Sequence, residues 1–283
     1  MKHKHYFLKI FSASLFFLSL GATTSYAYDT STIPSRPSSP ISLVDNEIYD
    51  FGGRTINGSN IQNSGLFRCM NRRGVVIKNV TVTGSPRYAL FARGCSSFVI
   101  ENFKMINNSN SVGGIRFDQG TENRSVVINN IEADKQGGHA LELWDVNGFS
   151  IGNVNAYDTS GSGVLVNRSR NGSIGKVTGY RNNQSGGYAT LRFANNAGPN
   201  LTVGEVFSRD SGRGFFTVSG AHGIRVSKVD AHRSNREAIY IQDSSNVSVG
   251  RGIARSSGSA NCRIRNSPNS GLGSLDCGGS IAN

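Results

Sequence analysis

The stretch Gly137–Ser162, GGHALELWDVNGFSIGNVNAYDTSGS, contains one unit of a pattern that the rest of the chain repeats. Its apolar residues fall into three groups, which are Leu141 with Leu143, Ile151 alone, and Val154 with Ala156. Because alternate residues of a strand face opposite sides, this spacing predicts three short strands per unit, each with one apolar face.

The position of Ile151 recurs along the chain at a nearly constant spacing. Apolar residues occupy it at Ile77, Ile100, Ile128, Ile151, Ile174, Val203, Val226, Val249 and Leu272. The gap is 23 residues in six cases, and it is 28 and 29 residues in the other two. A fixed period with a few loop insertions is typical of a solenoid in which each repeat forms one coil.

We call the recurring residues at the Ile151 position the anchors. Two further sets of apolar residues, which we call columns, lie eight and ten residues before most anchors. We expect both columns to point inward and the residues between and just beyond them to point outward. In the coil around Phe216, this spacing predicts that Phe216 and Val218 face the interior and that Thr217 faces outward.

Asparagine occupies the corner between the second and third predicted strands in four successive repeats, at Asn79, Asn102, Asn130 and Asn153. Asparagine tolerates left-handed backbone, and its amide can bond the equivalent residue one coil away. We therefore predict an asparagine ladder. With this ladder, the chain from Asp45 onward resembles the pectate-lyase-like right-handed parallel β-helix superfamily. The predicted fold is all-β, a single-stranded right-handed parallel β-helix of about nine coils with three short strands per coil.

The chain divides into three predicted parts. Residues 1–27 combine a basic head, an apolar run and a Ser-Tyr-Ala end, which together indicate a secretory signal peptide. Residues 28–44 are rich in Ser, Thr and Pro and predict an extended leader on the surface or loose, while residues 45–283 form the β-helix domain. We expect a secreted or periplasmic monomer without membrane insertion.

The charge of the exported part is positive and carried mainly by arginine. Without the signal peptide, 27 basic and 18 acidic residues remain, and only five of the basic residues are lysines. Arginine binds carboxylates through a planar two-pronged contact, so we expect an acidic polysaccharide as the partner. The positive charge is explained equally well by a role in solubility or in attraction to an anionic cell surface. Nucleic acid is disfavoured, because the aromatic residues are not interleaved with the basic ones.

Four cysteines in an exported chain indicate disulfides. Cys262 and Cys277 both fall on inward columns of the last coil, which predicts a bridge there. A bridge between Cys69 and Cys95 is less firmly indicated, because their columns differ. No cluster has the spacing of a metal site and no cofactor is expected, although the sequence leaves a calcium requirement open.

The resemblance places a substrate groove along the outer face of the first strand of each coil. We expect the catalytic residues to come from Arg116, Asp118, Glu142, Arg168, Arg192, Tyr240 and His222. We expect the substrate to be bound by Trp144, Asp145, Asn167, Arg93, Tyr188, Arg213 and His139. Trp144 is the only tryptophan, and sugar rings stack on such faces; a loop folded over it is the equal alternative.

Two mechanisms fit such a groove. In β-elimination, a cation such as Arg116, Arg168 or Arg192 neutralises a uronate carboxylate while a base removes the C5 proton. Tyr240, His222 and His139 are the candidates for that base. In hydrolysis, two carboxylates act as a pair, and the candidates are Asp118, Glu142 and Asp145. Salt bridges to neighbouring arginines are an equally good explanation of these acids.

No catalytic string of a named family is present. The chain lacks the Asp-His and Arg-X-Pro-X-X-Arg strings of calcium-dependent pectate lyases, the Asn-Thr-Asp, Gly-His-Gly and Arg-Ile-Lys set of polygalacturonases, and the Asp-Pro-His string of alginate epimerases. The resemblance therefore transfers a fold and a groove but no catalytic residue. We predict a lyase acting on an acidic, uronate-containing polysaccharide. A glycoside hydrolase and a non-catalytic carbohydrate-binding or surface protein remain the alternatives.

Overall fold

The computed structural model describes residues 26–279 and 281–282, and within them the strands form two parallel sheets. We name the first the long sheet; its strands are β1 (Tyr26–Ala27), β3 (Glu47–Asp50), β4 (Thr55–Asn57), β6 (Val76–Thr83), β8 (Ser96–Asn108), β10 (Asn123–Gln136), β12 (Val146–Tyr157), β14 (Arg170–Tyr180), β16 (Leu201–Arg209), β18 (His222–His232), β20 (Ser245–Arg255) and β22 (Gly271–Asp276). We name the second the groove sheet; its strands are β2 (Ile41–Ser42), β5 (Gly65–Met70), β7 (Tyr88–Arg93), β9 (Gly113–Phe117), β11 (Leu141–Trp144), β13 (Val164–Asn167), β15 (Leu191–Ala194), β17 (Phe215–Thr217), β19 (Ile239–Gln242), β21 (Cys262–Arg265) and β23 (Ile281–Ala282).

The predicted parallel β-helix is confirmed. Each strand pairs with the equivalent strand of the next coil, and the anchor residues lie in register, as in the pairings of Ile128 with Ile151 and of Ile151 with Ile174. The groove sheet has eleven strands within the described residues, so the stack is longer than the nine coils that we expected. The additional pairings come from short strands at its two ends.

The interior between the sheets is a continuous apolar core. Large side chains such as Phe67, Phe103, Phe117 and Phe193 are fully buried in it. Each such side chain stabilises the fold by about 1.5–3 kcal/mol relative to its exposed state. Because the buried side chains of each coil pack against those of the next, the backbone of the groove sheet forms a fixed support for the side chains that point outward.

The asparagine ladder is also confirmed. The Asn102 amide donates to Asn79 Oδ1 at 2.9 Å, the Asn130 amide donates to Asn102 Oδ1 at 3.1 Å, and the Asn153 amide donates to Asn130 Oδ1 at 3.3 Å. Asp50 extends the ladder by accepting from Asn79 at 2.9 Å. The first three asparagines have φ between 48° and 58°. The second and third predicted strands run through this corner as one bent strand of the long sheet.

Residues of the proline-rich segment 28–44 pack against the first coils. Ile33 and Leu43 are buried in the core, and β2 pairs with β5. Residues 1–25 of the predicted signal peptide lie outside the described residues, whereas its last two residues form β1. No helix in the described part of the chain is long and apolar enough to span a bilayer.

Both predicted disulfides are present. Cys262 and Cys277 are joined across the last coils, and Cys69 is joined to Cys95. Cys69 and Cys95 are both fully buried. Cys69 lies on β5 of the groove sheet, and Cys95 lies in the corner that follows β7, so this bridge ties adjacent coils together beneath the groove.

The predicted register is wrong in one coil. Phe216 pairs with Arg192 on one side and Tyr240 on the other, so it belongs to the outward column. Phe215 and Thr217 take the inward positions, and both are fully buried. Because strands alternate faces, an error of one residue exchanges the interior and exterior side chains of the whole strand.

Candidate active site

The outward face of the groove sheet carries the candidate site, and we refer to this face as the groove. Successive coils place Arg68, Phe91, Arg116, Glu142, Leu165, Arg192, Phe216, Tyr240 and Arg263 in one row along it. Neighbouring residues of the row are one strand spacing apart, about 4.8 Å. The row thus presents cationic, acidic and aromatic side chains along a line that a linear polymer can follow.

Two acids and two arginines form a bonded cluster in the first half of the groove. Arg116 Nε donates to Asp118 Oδ1 at 2.8 Å, and Arg116 Nη1 donates to Glu142 Oε2 at 2.7 Å. Arg93 donates to the other oxygen of Asp118. Both acids are almost fully buried. Burying a carboxylate is costly unless it is paired, so the guanidinium groups allow both acids to stay buried.

The cluster holds Asp118 and Arg116 in the charged state. Burial alone would raise the pKa of Asp118, but the hydrogen bonds from Arg93 and Arg116 outweigh burial, and the pKa lies below its usual value. Burial alone would lower the pKa of Arg116, but Glu142 and Asp118 outweigh it and the pKa is raised. Asp118 is therefore a permanent acceptor at neutral pH.

Glu142 also fixes the single tryptophan. Trp144 Nε1 donates to Glu142 Oε1 at 2.6 Å, and the Asn167 amide donates to the same oxygen at 3.4 Å. Together with Arg116, three donors converge on one carboxylate. Three of the acceptor positions of Glu142 are thus used by protein groups, and the bond from Trp144 holds the indole in place.

Arg168 covers Trp144 from one side. Its guanidinium carbon lies 5.0 Å from the centre of the indole ring. Arg168 Nη2 donates to Asp145 Oδ2 at 2.9 Å and to Gln119 Oε1 at 2.7 Å. The predicted Trp144, Asp145 and Arg168 therefore lie together, and the salt bridge that we weighed for Asp145 is present.

A second group of residues, centred on Arg192, lies three coils farther along the groove. The Arg192 guanidinium carbon is 4.8 Å from the ring centre of Tyr188 and 5.3 Å from that of Phe216. Arg192 is partly buried and has no carboxylate partner among the described residues, and its Nε is buried without a hydrogen bond. Burial lowers its pKa, although a guanidinium keeps its charge at neutral pH.

His139 lies beside this arginine. Its ring is edge-on to the ring of Tyr188, with 5.0 Å between the ring centres. Burial, followed by the charges of Arg192 and Arg116, lowers the pKa of His139 to about 4. The imidazole is consequently neutral at pH 7. Its Nδ1 accepts a hydrogen bond from the backbone N–H of Ser162 at 2.7 Å, which leaves the proton on Nε2.

Tyr240 and Arg213 lie next to this group but are engaged in packing. Tyr240 stacks on Phe216 with 5.4 Å between ring centres, and it is only 5% exposed. Arg213 Nε donates to Glu237 at 2.8 Å, and its guanidinium carbon lies 4.5 Å from the centre of the Phe216 ring. The position of Tyr240 makes it a support of the groove rather than an accessible base.

His222 is separated from the other predicted residues. It lies at the start of β18 in the long sheet, and its Nδ1 is 3.0 Å from the carbonyl oxygen of Gly220. The structure therefore does not bring His222 onto the groove with Arg116 or Arg192. Of the predicted bases, only His139 and Tyr240 lie at the groove.

Sequence reasoning placed Arg68 on the groove face but missed Phe216 and Arg87 as groove residues. A signal for Phe216 exists, because a small residue precedes the first inward residue of most coils, as Ala140 and Gly214 do. A Cβ atom added at Gly214 would lie 2.7 Å from the carbonyl oxygen of the next coil. Aligning the coils on this small residue gives the correct register for Phe216.

No group of three or more histidine, cysteine or acidic residues in the part of the chain that the structure describes is arranged to hold a metal ion. The acids of the groove are bonded to arginines instead. Asp118, Glu142 and Asp145 each form an ion pair with an arginine.

Solved structures provide a comparison for this architecture. The chain is similar to the A-module of the mannuronan C-5 epimerase AlgE6 from Azotobacter vinelandii, with a TM-score of 0.68 and 14% identity over 81% of this chain and 68% of that module. It is also similar to the A-module of the mannuronan C-5 epimerase AlgE4 from the same organism, with a TM-score of 0.61 and 13% identity over 88% of this chain and 83% of that module. The chain has the pectate-lyase-like β-helix fold. At these identities the likeness shows the fold of this β-helix alone. Neither a protein-family model nor a curated protein matches the sequence.

Proposed function

We propose that the protein is a secreted polysaccharide lyase that cleaves a uronate-containing polysaccharide by β-elimination in the groove. The observation that carries this proposal is Arg192, a partly buried guanidinium at the groove with no carboxylate partner among the described residues. A cation that the protein itself leaves unneutralised is suited to receive the carboxylate of a sugar.

The surroundings of Arg192 support that role. The rings of Tyr188 and Phe216 flank the guanidinium and fix its plane. A planar guanidinium offers two parallel N–H donors to a carboxylate. By neutralising the uronate carboxylate, Arg192 would make the adjacent C5 proton more acidic and stabilise the charge that develops as this proton leaves.

Tyr188 is the group that we assign to proton transfer. It is 37% exposed, and its ring lies against both Arg192 and His139. His139 is not the base, because its Nδ1 lone pair already accepts from Ser162 and its Nε2 carries the proton. The neutral imidazole can instead donate from Nε2.

The elimination balances with these groups. The Tyr188 oxygen, as phenolate, takes the C5 proton, and the electrons of the C5–H bond form a double bond between C4 and C5. The C4–O bond breaks, and the leaving glycosidic oxygen receives a proton from Tyr188 or from water. The products are an unsaturated uronate and a new reducing end.

The acids of the groove support hydrolysis less well. A hydrolase needs one carboxyl group that carries a proton for the leaving oxygen. Asp118 is held ionised by two arginines, and Glu142 accepts from three donors. Asp145 bonds Arg168. None of the three is arranged as a proton donor.

Epimerisation at C5 is the second candidate function. The two similar solved structures are, by their names, C-5 epimerases of mannuronan. Removal of the C5 proton is the first step of both reactions, and the same Arg192 and Tyr188 would serve it. The two functions differ in the second step, because an epimerase returns a proton to C5 whereas a lyase expels the C4 oxygen.

One experiment separates the candidates. The purified protein is incubated in D₂O with polymannuronate, polyguluronate and polygalacturonate, with and without calcium. We expect near-ultraviolet absorbance and reducing ends to rise together on one of these polymers. Deuterium at C5 without absorbance would make the protein an epimerase, and reducing ends without absorbance would make it a hydrolase. If absorbance, reducing ends and deuterium content all stay unchanged, a non-catalytic binding protein is the remaining candidate.

Two variants test the assigned residues, with Arg225→Ala as the matched control. Arg225 is an exposed arginine of the long sheet. We expect Arg192→Ala and Tyr188→Phe each to lower kcat/KM by at least ~100-fold, as is typical for loss of an acid–base group. Arg225→Ala should keep full activity. If Arg192→Ala also keeps full activity, the assignment of Arg192 is wrong.

A further inference from the structure

A second arginine-rich pocket lies at the other end of the groove, and the proposed elimination does not use it. It is a cleft of about 620 Å³ between β5, β7 and β9. We refer to it as the arginine pocket; its principal side chains are Arg68, Arg87, Arg93, Arg116, Tyr88 and Phe91.

The arginine pocket contains more positive charge than its own acid neutralises. Arg93 and Arg116 share Asp118. Arg68 and Arg87 form no ion pair with any described residue. The pocket thus keeps two guanidinium groups whose donors are available to an incoming anion.

Aromatic rings orient three of the four arginines of the pocket. The guanidinium carbons of Arg87 and Arg116 lie 5.8 and 5.7 Å from the centre of the Tyr88 ring. Arg93 lies 5.6 Å from the centre of the Phe91 ring. A guanidinium placed on a ring has less freedom to lose on binding, so the cleft is preorganised for a carboxylate carried on an apolar-faced ring such as a sugar.

The strand register sets the distance between the arginine pocket and Arg192. Arg68 pairs with Phe91, and the row continues through Arg116, Glu142 and Leu165 to Arg192, which is five steps from Arg68. At the strand spacing of a parallel sheet, five steps are about 24 Å. One sugar residue of an extended polymer is about as long as one step, so about five residues span the two sites.

We propose that the arginine pocket is a second carboxylate subsite, which holds a uronate about five residues away from the one at Arg192. This inference rests on the proposed function, because it assumes that the polymer lies along the groove. It makes the protein selective for long chains and places about five sugar residues on one side of the reacting bond.

Binding of oligomers of increasing length tests the subsite. Oligomannuronates and oligogalacturonates of about two to eight residues are titrated calorimetrically into the wild type, and neutral cello-oligosaccharides of equal length serve as the uncharged comparison. Because linking two contacts raises the apparent affinity once both sites can be reached, we expect a step in affinity at about six residues, the shortest length that contains two uronates five residues apart. The neutral series should show no step.

The double variant Arg68→Ala/Arg87→Ala should abolish the step. We expect it to weaken binding of long oligouronates by at least ~10-fold and to leave dimers and trimers unchanged. The matched control is Arg225→Ala/Arg251→Ala, which removes two exposed arginines of the long sheet that form no ion pair with any described residue. It should keep the step, so a general effect of lost charge is distinguished from a subsite.

The outcomes separate this inference from the proposed function. If the double variant binds long oligomers as tightly as the wild type, the subsite is refuted, even if the wild type cleaves them. If the step is present and lost in the double variant without any turnover, the subsite stands and the lyase proposal fails. If the wild type binds no oligouronate at all, both are refuted.

Discussion

Acidification should destabilise the fold through His139. The pKa of His139 is about 4 in the folded protein, against the usual value of 6.5 that applies to the unfolded chain. Between these values the unfolded state binds the proton and the folded state does not. The stabilisation is therefore complete above about pH 6.5 and is lost as the pH falls towards 4.

The size of the effect comes from the two pKa values. With values of about 4 and 6.5, the full contribution is about 3 kcal/mol, of which about 2 kcal/mol is lost between about pH 7.5 and pH 5. Carboxylates whose pKa is lowered in the fold, such as Asp118, add a loss of the same sign. A comparison with a variant that lacks only the imidazole removes that common part.

The assay is urea unfolding at both pH values for the wild type and for His139→Asn, whose Oδ1 can still accept from Ser162. We expect the wild type to lose about 2 kcal/mol more than the variant. His232→Asn, which removes a histidine beside Asp230, should behave as the wild type. If the wild type and His139→Asn show equal pH dependence, His139 does not contribute to the acid sensitivity. An NMR titration of the His139 imidazole with a midpoint of about pH 6.5 would lead to the same conclusion.

Four further variants test the cluster, the ladder and the C-terminal bridge. Glu142→Gln leaves the partly buried Arg116 with one acid fewer, so we expect a loss of about 1–3 kcal/mol in urea unfolding and only a modest loss of lyase activity; complete inactivation would favour hydrolysis. Asn102→Ala removes two ladder bonds at a left-handed residue and should cost about 1–3 kcal/mol, whereas Asn102→Gly, which accepts that backbone, should lose less. Equal losses would contradict a contribution from the left-handed backbone, and an Asn102→Gly variant as stable as the wild type would contradict the ladder's role. Replacing Cys262 and Cys277 by serine opens a bridge with a sequence separation of 15 residues. In the chain-entropy model this costs about 3 kcal/mol, so an unchanged thermal midpoint would show that the bridge contributes little.

The fold was predictable because it rests on a repeated local pattern. The anchor column around Ile151 repeats the same physical requirement from coil to coil, and the ladder through Asn102 repeats another in four successive coils, so the errors of single positions average out. The register around Phe216 was not predictable from apolar spacing, because Phe215 and Phe216 are adjacent and equally apolar. Only the close approach at Gly214 distinguishes them.

The site was predictable as a set of residues but not as a set of partners. The groove column placed Arg116, Glu142 and Trp144 together, as the structure shows. Which arginine lacks a carboxylate partner depends on the positions that the acidic side chains adopt. The alternation of residues along a strand does not specify these positions. Among the described residues no carboxylate reaches Arg192, Arg68 or Arg87, whereas Arg116 has two.

The role of Arg192 in elimination is tested by the near-ultraviolet absorbance of a polyuronate solution treated with the wild type and with Arg192→Ala. We expect rising absorbance with new reducing ends for the wild type and a rate at least ~100-fold lower for the variant. If the wild type releases reducing ends without absorbance, or if Arg192→Ala eliminates at the wild-type rate, Arg192 does not act as we propose.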